Sequence, residues 1–523
     1  MDPRLARPEP PVPPSWPVGD AYLRQSEATL PAITYREMFR DRRLQAIIEQ
    51  AIVNNRDLRI AVANIRSARA LYRIQRADRF PRVDVTGRYQ YSDGGGGGGT
   101  VTGNNGGTST GGTGTGTGGT GTGTGGSTNP GGAGGNTGTV TGGGGGSLFQ
   151  ANIGVTAFEI DLFGRVASLT RAAQQRYFAQ EAAARATRLI LVGDIAQGWL
   201  TYAADLSLLR VAERTAQSAE SSVRLTRARL EGGIVPRSDL TQAQQVLATA
   251  QADLAEQRTF VAQDVNAVTL LVGASVDPTL LPASIEEAAP TLAVLPAGLD
   301  SRVLLRRPDV VQAEYDLRAT NAEIGAARAA LFPRISLTGI LGFASNALGR
   351  LFTGDAFSYS VSPTASYSIF RAGAARANVE FSRAQRDAAL AGYERAIQIA
   401  FREVADALAR QGTIAEQLRA SQLLVNATDE TLRLNDARYR GGIDTFLTLL
   451  DAQRSAYTAQ RTFVATQLAA ATNRVALYRA LGGDATLETT ATGPVPVSAS
   501  GARRTDEPLP VPSPTPEAPR RRP

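Results

Sequence analysis

The 523 residues carry 55 basic and 48 acidic side chains, a formal charge of +7, and contain neither histidine nor cysteine. Thiol nucleophiles, disulfides, imidazole bases and the usual nitrogen and sulfur ligands of zinc or copper are thereby excluded, and much of enzyme chemistry with them. All 55 basic residues are arginine and alternate with Asp, Glu and Gln instead of forming one stripe, which argues against nucleic acid as a partner.

The chain is longer than one hydrophobic core usually supports, so two domains or one elongated architecture is expected. Residues 1–35 form a proline-rich N-terminal segment, of which 1–19 read as an extended tail. Met1-Asp2-Pro3-Arg4 lacks the apolar core of a signal peptide. A helix over 54–79 stops at Phe80-Pro81, where proline has no N–H to continue it. Val83, Val85, Tyr89 and Tyr91 then alternate with Asp84, Thr86, Arg88 and Gln90, which predicts a strand over 82–92. Residues 93–147 are almost entirely Gly, Thr, Asn and Ser and read as a long loop insertion. No acidic residue follows Asp93 in that tract, so a calcium-binding nonapeptide repeat is not supported.

Phe149, Ala151, Ile153 and Val155 mark a second strand over 148–161. Beyond it the period changes: Val192, Ile195, Trp199, Tyr202, Leu206 and Leu209 step by three and four in a coiled-coil-like helix over 163–232. Its roughly 70 residues would span about 105 Å at about 1.5 Å each. A return helix over 236–273 and a connector over 274–305, placed in an equatorial region, complete the first half. No run reaches the ~18 consecutive apolar residues of a membrane-spanning helix, so a membrane role needs strands.

The second half repeats the first. Phe80-Pro81-Arg82 recurs as Phe332-Pro333-Arg334 at an offset of 252, Leu162-Phe163 as Ile369-Phe370 at 207, and Gly232-Gly233-Ile234 as Gly441-Gly442-Ile443 at 209. The drop of 45 between the first two offsets is close to the length of the Gly/Thr tract, so an internal duplication is expected, 36–273 and 306–483, with the tract inserted in the first copy. The second copy has a helix over 307–331, strands over 334–344 and 357–368, a long helix over 370–440 and a return helix over 444–481. In its strands Ile335, Leu337, Leu341 and Phe343, and later Phe357, Tyr359, Val361, Ala365 and Tyr367, hold the apolar phase, while Pro363 removes one ladder bond. Residues 484–523 form a Pro/Arg-rich tail with no hydrophobic period and no expected fold.

Four strands of about ten residues can cross an outer membrane but cannot close, and an open edge in lipid leaves backbone groups unsatisfied. Two copies would give a filled eight-strand barrel, whereas three give twelve strands and a lumen. The shorter helices nearly sum to one long helix if 236–273 stacks on 307–331 and 444–481 on 54–79, which gives four columns of equal height. The expected fold class is therefore an α+β membrane protein: a trimeric outer-membrane β-barrel, four strands per protomer, continuous with a long periplasmic α-helical barrel.

Several stretches carry a resemblance: Asn54-Asn55-Arg56-Asp57-Leu58, Phe158-Glu159-Ile160-Asp161-Leu162-Phe163-Gly164-Arg165, and Arg306-Arg307-Pro308-Asp309-Val310 through Ile324-Gly325-Ala326-Ala327-Arg328 to Phe332-Pro333. Arg438-Tyr439-Arg440-Gly441-Gly442, Leu449-Leu450-Asp451-Ala452-Gln453-Arg454 and Tyr478 to Gly483 add to it. Across about 8–483 the chain resembles the outer-membrane factors of tripartite efflux pumps, the TolC/OprM/NodT type. The resemblance implies a homotrimer in the outer membrane of a Gram-negative bacterium, in contact with outer-membrane lipid and extending into the periplasm. It would passively conduct drugs or other small amphiphilic compounds from a periplasmic adaptor (membrane fusion protein) and an inner-membrane pump of the resistance-nodulation-division (RND) class. No cofactor is expected. Relatives of the OprM type carry a lipidated cysteine ahead of a proline-rich start like Arg7-Pro8-Glu9-Pro10-Pro11-Val12-Pro13, so a signal peptide and lipid site are expected upstream of Met1.

The turns Gly232-Gly233-Ile234 and Gly441-Gly442-Ile443 are expected to form the periplasmic tip, and the resemblance places adaptor contact and the narrowest aperture there. Their glycines either permit close backbone approach or simply terminate helices, and the two roles can coexist. In a trimer an inward acid becomes a ring of three that favours cations; Asp436 and Asp444 are the candidates, with Arg438 as a locking partner, against the plainer reading of a solvated helix face. Tyr89, Tyr91, Phe357, Tyr359 and Tyr367 are candidates for aromatic girdles at the membrane interfaces. An adjacent secretion ATPase would shift the reading to a type I secretion duct. A surface adhesin on a barrel is suggested only by the Gly/Thr tract, and an enzyme is opposed by the missing His and Cys and the absence of a phosphate-binding glycine loop.

Overall fold

The computed structural model describes residues 34–92, 146–295, 301–490 and 493–496, together with 3, 11–13 and 16. The Gly/Thr tract up to residue 145 and the C-terminal stretch beyond 496 lie outside the described residues. Two compact units are present: Met1–Arg79, Asp161–Pro333 and Tyr367–Pro523 form a helical unit, and Phe80–Ile160 with Arg334–Ser366 form a β unit.

The β unit is one antiparallel sheet in sequential order, β1 (Val83–Ser92), β2 (Gly146–Ile160), β3 (Arg334–Ser345) and β4 (Phe357–Ser366). Register puts the apolar phases of all strands on one face: Val85 opposes Ile153, Ile153 opposes Leu341, and Leu341 opposes Tyr359. Asp84, Thr86, Arg88 and Gln90 hold the opposite phase on β1. A bulge at Thr156 and Ala157 sets two residues of β2 against Thr338 alone, with Ala157 at φ 51°. Because pleat parity is two, the extra residue returns Phe158 and Ile160 to the apolar face from which an unbroken strand would have turned them away. Pro363 lies opposite Leu337 in β4, an edge strand that can spare an N–H.

The helical unit contains α1 (Tyr35–Met38), α2 (Arg42–Asn54), α3 (Arg56–Ala77), α4 (Arg165–Glu231), α5 (Arg237–Val272), α6 (Ile285–Ala288), α7 (Pro308–Ala329), α8 (Ala374–Arg440) and α9 (Phe446–Ala480). Helices α4 and α8 are each 67 residues long, about 100 Å of helix. Asp161 fixes the start of α4 by accepting the Val166 and Ala167 N–H groups at 3.1 and 2.7 Å. The main core joins Met38, Phe39, Leu44, Ile47 and Ile48 to Ile195, Trp199, Val272, Ile397, Val404 and Tyr478. Trp199, fully buried, donates its indole N–H to the Leu280 carbonyl at 3.1 Å. Among the described residues no helix is long and apolar enough to cross a membrane.

The end-to-end stacking differs from the sequence expectation, because α5 meets α3 and α9 meets α7. The Asn55 side chain joins the first pair: Nδ2 donates to the Leu271 carbonyl at 2.7 Å near the end of α5, and Oδ1 accepts the Leu58 N–H at 2.9 Å in the first turn of α3. One amide thus satisfies an orphan group of each helix. Arg307, which precedes α7, joins the second pair by donating Nη1 to the Ala480 carbonyl at 2.9 Å while pairing with Asp309 and Glu403. Helix lengths could not reveal this, since α5 and α9 have 36 and 35 residues and α3 and α7 have 22 each.

Both terminal segments also need correction. Within the expected tail 484–523, β5 (Leu487–Thr490) pairs with β6 (Gly493–Pro496), and Arg306 Nε lies 3.1 Å from Glu488. A short ladder forms from backbone bonds and one buried threonine, Thr489, and requires no hydrophobic period. Within the expected N-terminal tail, Trp16 stacks on Phe401 of α8 at 4.9 Å and the Pro3 carbonyl accepts Asn321 Nδ2 of α7 at 2.9 Å.

Candidate functional site

Each long helix ends in a turn built to one design. At the end of α4 the Ile234 N–H donates to the Arg229 carbonyl at 2.8 Å and the Gly233 N–H to Leu230 at 2.9 Å. At the end of α8 Ile443 donates to Arg438 at 2.9 Å and Gly442 to Tyr439 at 3.0 Å. These are paired Schellman closures, which satisfy the last helical carbonyls and require a left-handed residue. Gly233 and Gly442 supply it at φ 68° and 73°. Within the protomer no heavy atom other than those of the glycine and its chain neighbours would lie within 4 Å of a Cβ at either position. Backbone strain of about 1–2 kcal/mol, not crowding within one protomer, therefore makes these two positions glycine. Gly232 and Gly441 have ordinary negative φ. Ile234 and Ile443 are left 73% and 69% exposed.

A buried clamp joins the two helix ends. The Tyr439 side chain is 1% exposed and its hydroxyl lies 3.1 Å from Thr226 Oγ1 of α4. The Arg229 guanidinium sits 4.5 Å from the centre of the Tyr439 ring and donates to the Arg440 carbonyl at 2.9 Å. Tyr439 also meets Phe446 of α9 at 5.7 Å, within a small core of Val223, Ala243, Leu449 and Leu450. Sequence reasoning missed Thr226, Arg229, Tyr439 and Phe446 as a group. One signal was present: two residues before the Gly-Gly-Ile turn, α8 has Tyr439 where α4 has Leu230.

The candidate acids lie beside this clamp and are locally paired. Arg438 Nε bonds Asp444 at 2.5 Å, which raises the Arg438 pKa, and Asp436 pairs instead with Arg440 at 2.9 Å. Arg438 thus serves only one of the two acids. Water and salt screen such exposed arginines, so pairs of this kind stabilise little.

Of the aromatic candidates, Tyr89, Tyr91 and Phe357 gather at one end of the sheet, whereas Tyr359 lies further along, in the row of Leu341, Ile153 and Val85. Tyr89 tilts against Phe149 at 4.8 Å, and Phe357 meets Phe343 edge-on at 5.7 Å. Tyr367 falls beyond the end of β4 at Ser366, so the structure does not bring it to that group.

The family model for outer membrane efflux protein matches residues 47–274 and 299–483. The chain is 40% identical over 483 residues to the probable efflux pump outer membrane protein TtgC of Pseudomonas putida, covering 92% of each. It is 36% identical to a crystallised membrane protein from Pseudomonas aeruginosa, with a TM-score of 0.77, covering 92% of this chain and 97% of that one. It is 30% identical to the open state of the MtrE outer membrane channel of Neisseria gonorrhoeae, with a TM-score of 0.76, covering 92% of this chain and 98% of that one.

Proposed function

The chain belongs to the outer membrane efflux protein family, and from that premise we propose a trimeric duct whose tip is held shut by the Tyr439 clamp. The protein is the outer-membrane channel component of an efflux pump and resides in the outer membrane. The observation that carries the trimer is the apolar face running through all four strands, bounded by the outer edges of β1 and β4, which are unpaired among the described residues. In lipid each unpaired edge group costs several kcal/mol, so the edges must be covered. Three copies close them as twelve strands around a lumen, four from each internally duplicated protomer.

The long helices α4 and α8 reach into the periplasm. The turns at Gly232-Gly233-Ile234 and Gly441-Gly442-Ile443 form the periplasmic tip, where exposed Ile234 and Ile443 offer apolar contacts to the helices of a periplasmic adaptor. The energy comes from an inner-membrane transporter of the RND class; this chain supplies a path for drugs and other small amphiphiles, with no catalytic step. Three copies turn Asp444 and Asp436 into acidic rings, moderated by Arg438 and Arg440. Aromatics at one end of the sheet, Tyr89, Tyr91 and Phe357, anchor the barrel at the lipid interface, with Tyr367 toward the other. A lipidated cysteine upstream of Met1 would add a second anchor.

Native mass measurement of the detergent-purified protein tests the stoichiometry. Three copies of the 55.1 kDa chain are expected. A dimer would close only eight strands and would overturn the duct.

A further inference from the structure

Helices α4 and α5 bring two carboxylates together well away from the turns. The Asp205 and Asp264 carboxyls act on one another across the helix pair. Gln257 Nε2 donates to Asp205 Oδ1 at 3.3 Å, whereas Asp264 Oδ2 is shielded from solvent and receives no donor. Tyr202 of α4 is near enough to sense the Asp264 charge. Asp205 and Tyr202 face Asp264, and Gln257 faces Asp205; among the described residues no guanidinium acts on either acid.

Two carboxylates in one site with no cation cannot both ionise cheaply. Burial first, and then Asp205, push Asp264 up to about 7. Burial also raises Asp205, and its interactions with Asp264 and Gln257 oppose that rise. A Coulomb repulsion set between two helices acts directly on their separation.

We propose that Asp205 and Asp264 hold a single proton between them, and that this proton clips α4 to α5, so that the hairpin is tighter on the acid side of neutrality than on the alkaline side. The folded-state value lies above the ~3.9 of an unfolded aspartate. The stabilisation is therefore complete below the unfolded value and is lost as pH rises through about 7. The proposal needs only the contact between α4 and α5 and stands apart from the transport reading.

The chain has no cysteine, so spin labels at Gln197→Cys and Gln263→Cys, exposed positions on the two helices, report their separation in the purified full-length protein without background. The distance distribution is expected to broaden and lengthen between about pH 6 and about pH 8.5, a window that brackets the titration. Asp264→Asn keeps an interhelical donor with no proton to lose, and its distribution is expected to stay narrow throughout. Equal broadening in the wild type and Asp264→Asn, or none in the wild type, overturns the proposal. Should Asp264→Asn not fold, Asp205→Asn supplies the same comparison, because its amide donates across the pair in the other direction.

Discussion

Replacing Tyr439 with alanine is expected to open the channel at its tip, raising single-channel conductance in planar bilayers well above the wild-type value. Tyr439 is almost completely buried, and removing a large aromatic from such a site costs about 3–5 kcal/mol. A closed state that loses about 3 kcal/mol of preference loses roughly a factor of 100 in population relative to the open one. Tyr439→Phe keeps the ring under Arg229 and removes only the hydroxyl that faces Thr226, so a smaller loss of about 1 kcal/mol is expected. The Arg438 guanidinium is exposed and its pair with Asp444 is screened by solvent, so removing that pair should alter conductance less than Tyr439→Ala does. Wild-type conductance from intact Tyr439→Ala trimers would mean that the clamp is only local helix packing.

The second large effect is expected in the sheet. Val85 lies on the apolar face of β1, in the row that runs through Ile153 and Leu341 across the middle of the sheet, and is 78% exposed in the isolated protomer. If that face meets lipid, Val85→Arg costs about 2–4 kcal/mol in each copy near the bilayer midplane. Summed over a trimer this rivals the roughly 5–15 kcal/mol that stabilises a typical domain. The expected result is loss of assembled protein from the outer-membrane fraction. Thr86→Arg, one residue along and on the polar face, should assemble normally. Equal abundance of the two variants would show that the assigned lipid face is wrong.

Where the chain repeats a simple period, its local structure was legible. The alternation from Val83 to Tyr91 falls within β1, and the three- and four-residue steps from Val192 to Leu209 fall within α4. The paired Gly-Gly turns and the prolines at the helix-to-strand changes also stood out. What stayed hidden depends on which distant residues meet. Ala157 at a left-handed φ gives no local sign of a bulge, because only the register against Thr338 requires it. The stacking of α5 on α3 is set by one Asn55 side chain across a junction 216 residues long in sequence, and near-equal helix lengths concealed it. The sequence offered the turn glycines and the nearby acids as candidates for the tip. A buried contact beside them is made by Tyr439 and Thr226, which are 213 residues apart in sequence. Composition also misjudged the segment near Glu488 and Thr489, where a brief backbone ladder outweighs the absence of a hydrophobic period.

The most direct test of efflux through this channel is intracellular accumulation of a fluorescent, pump-exported dye, compared between a strain lacking the protein and the same strain carrying it again. Export through this channel predicts high accumulation without the protein and a return to the low parental level on complementation. Equal accumulation in both strains, with the restored protein present in the outer membrane, would contradict it.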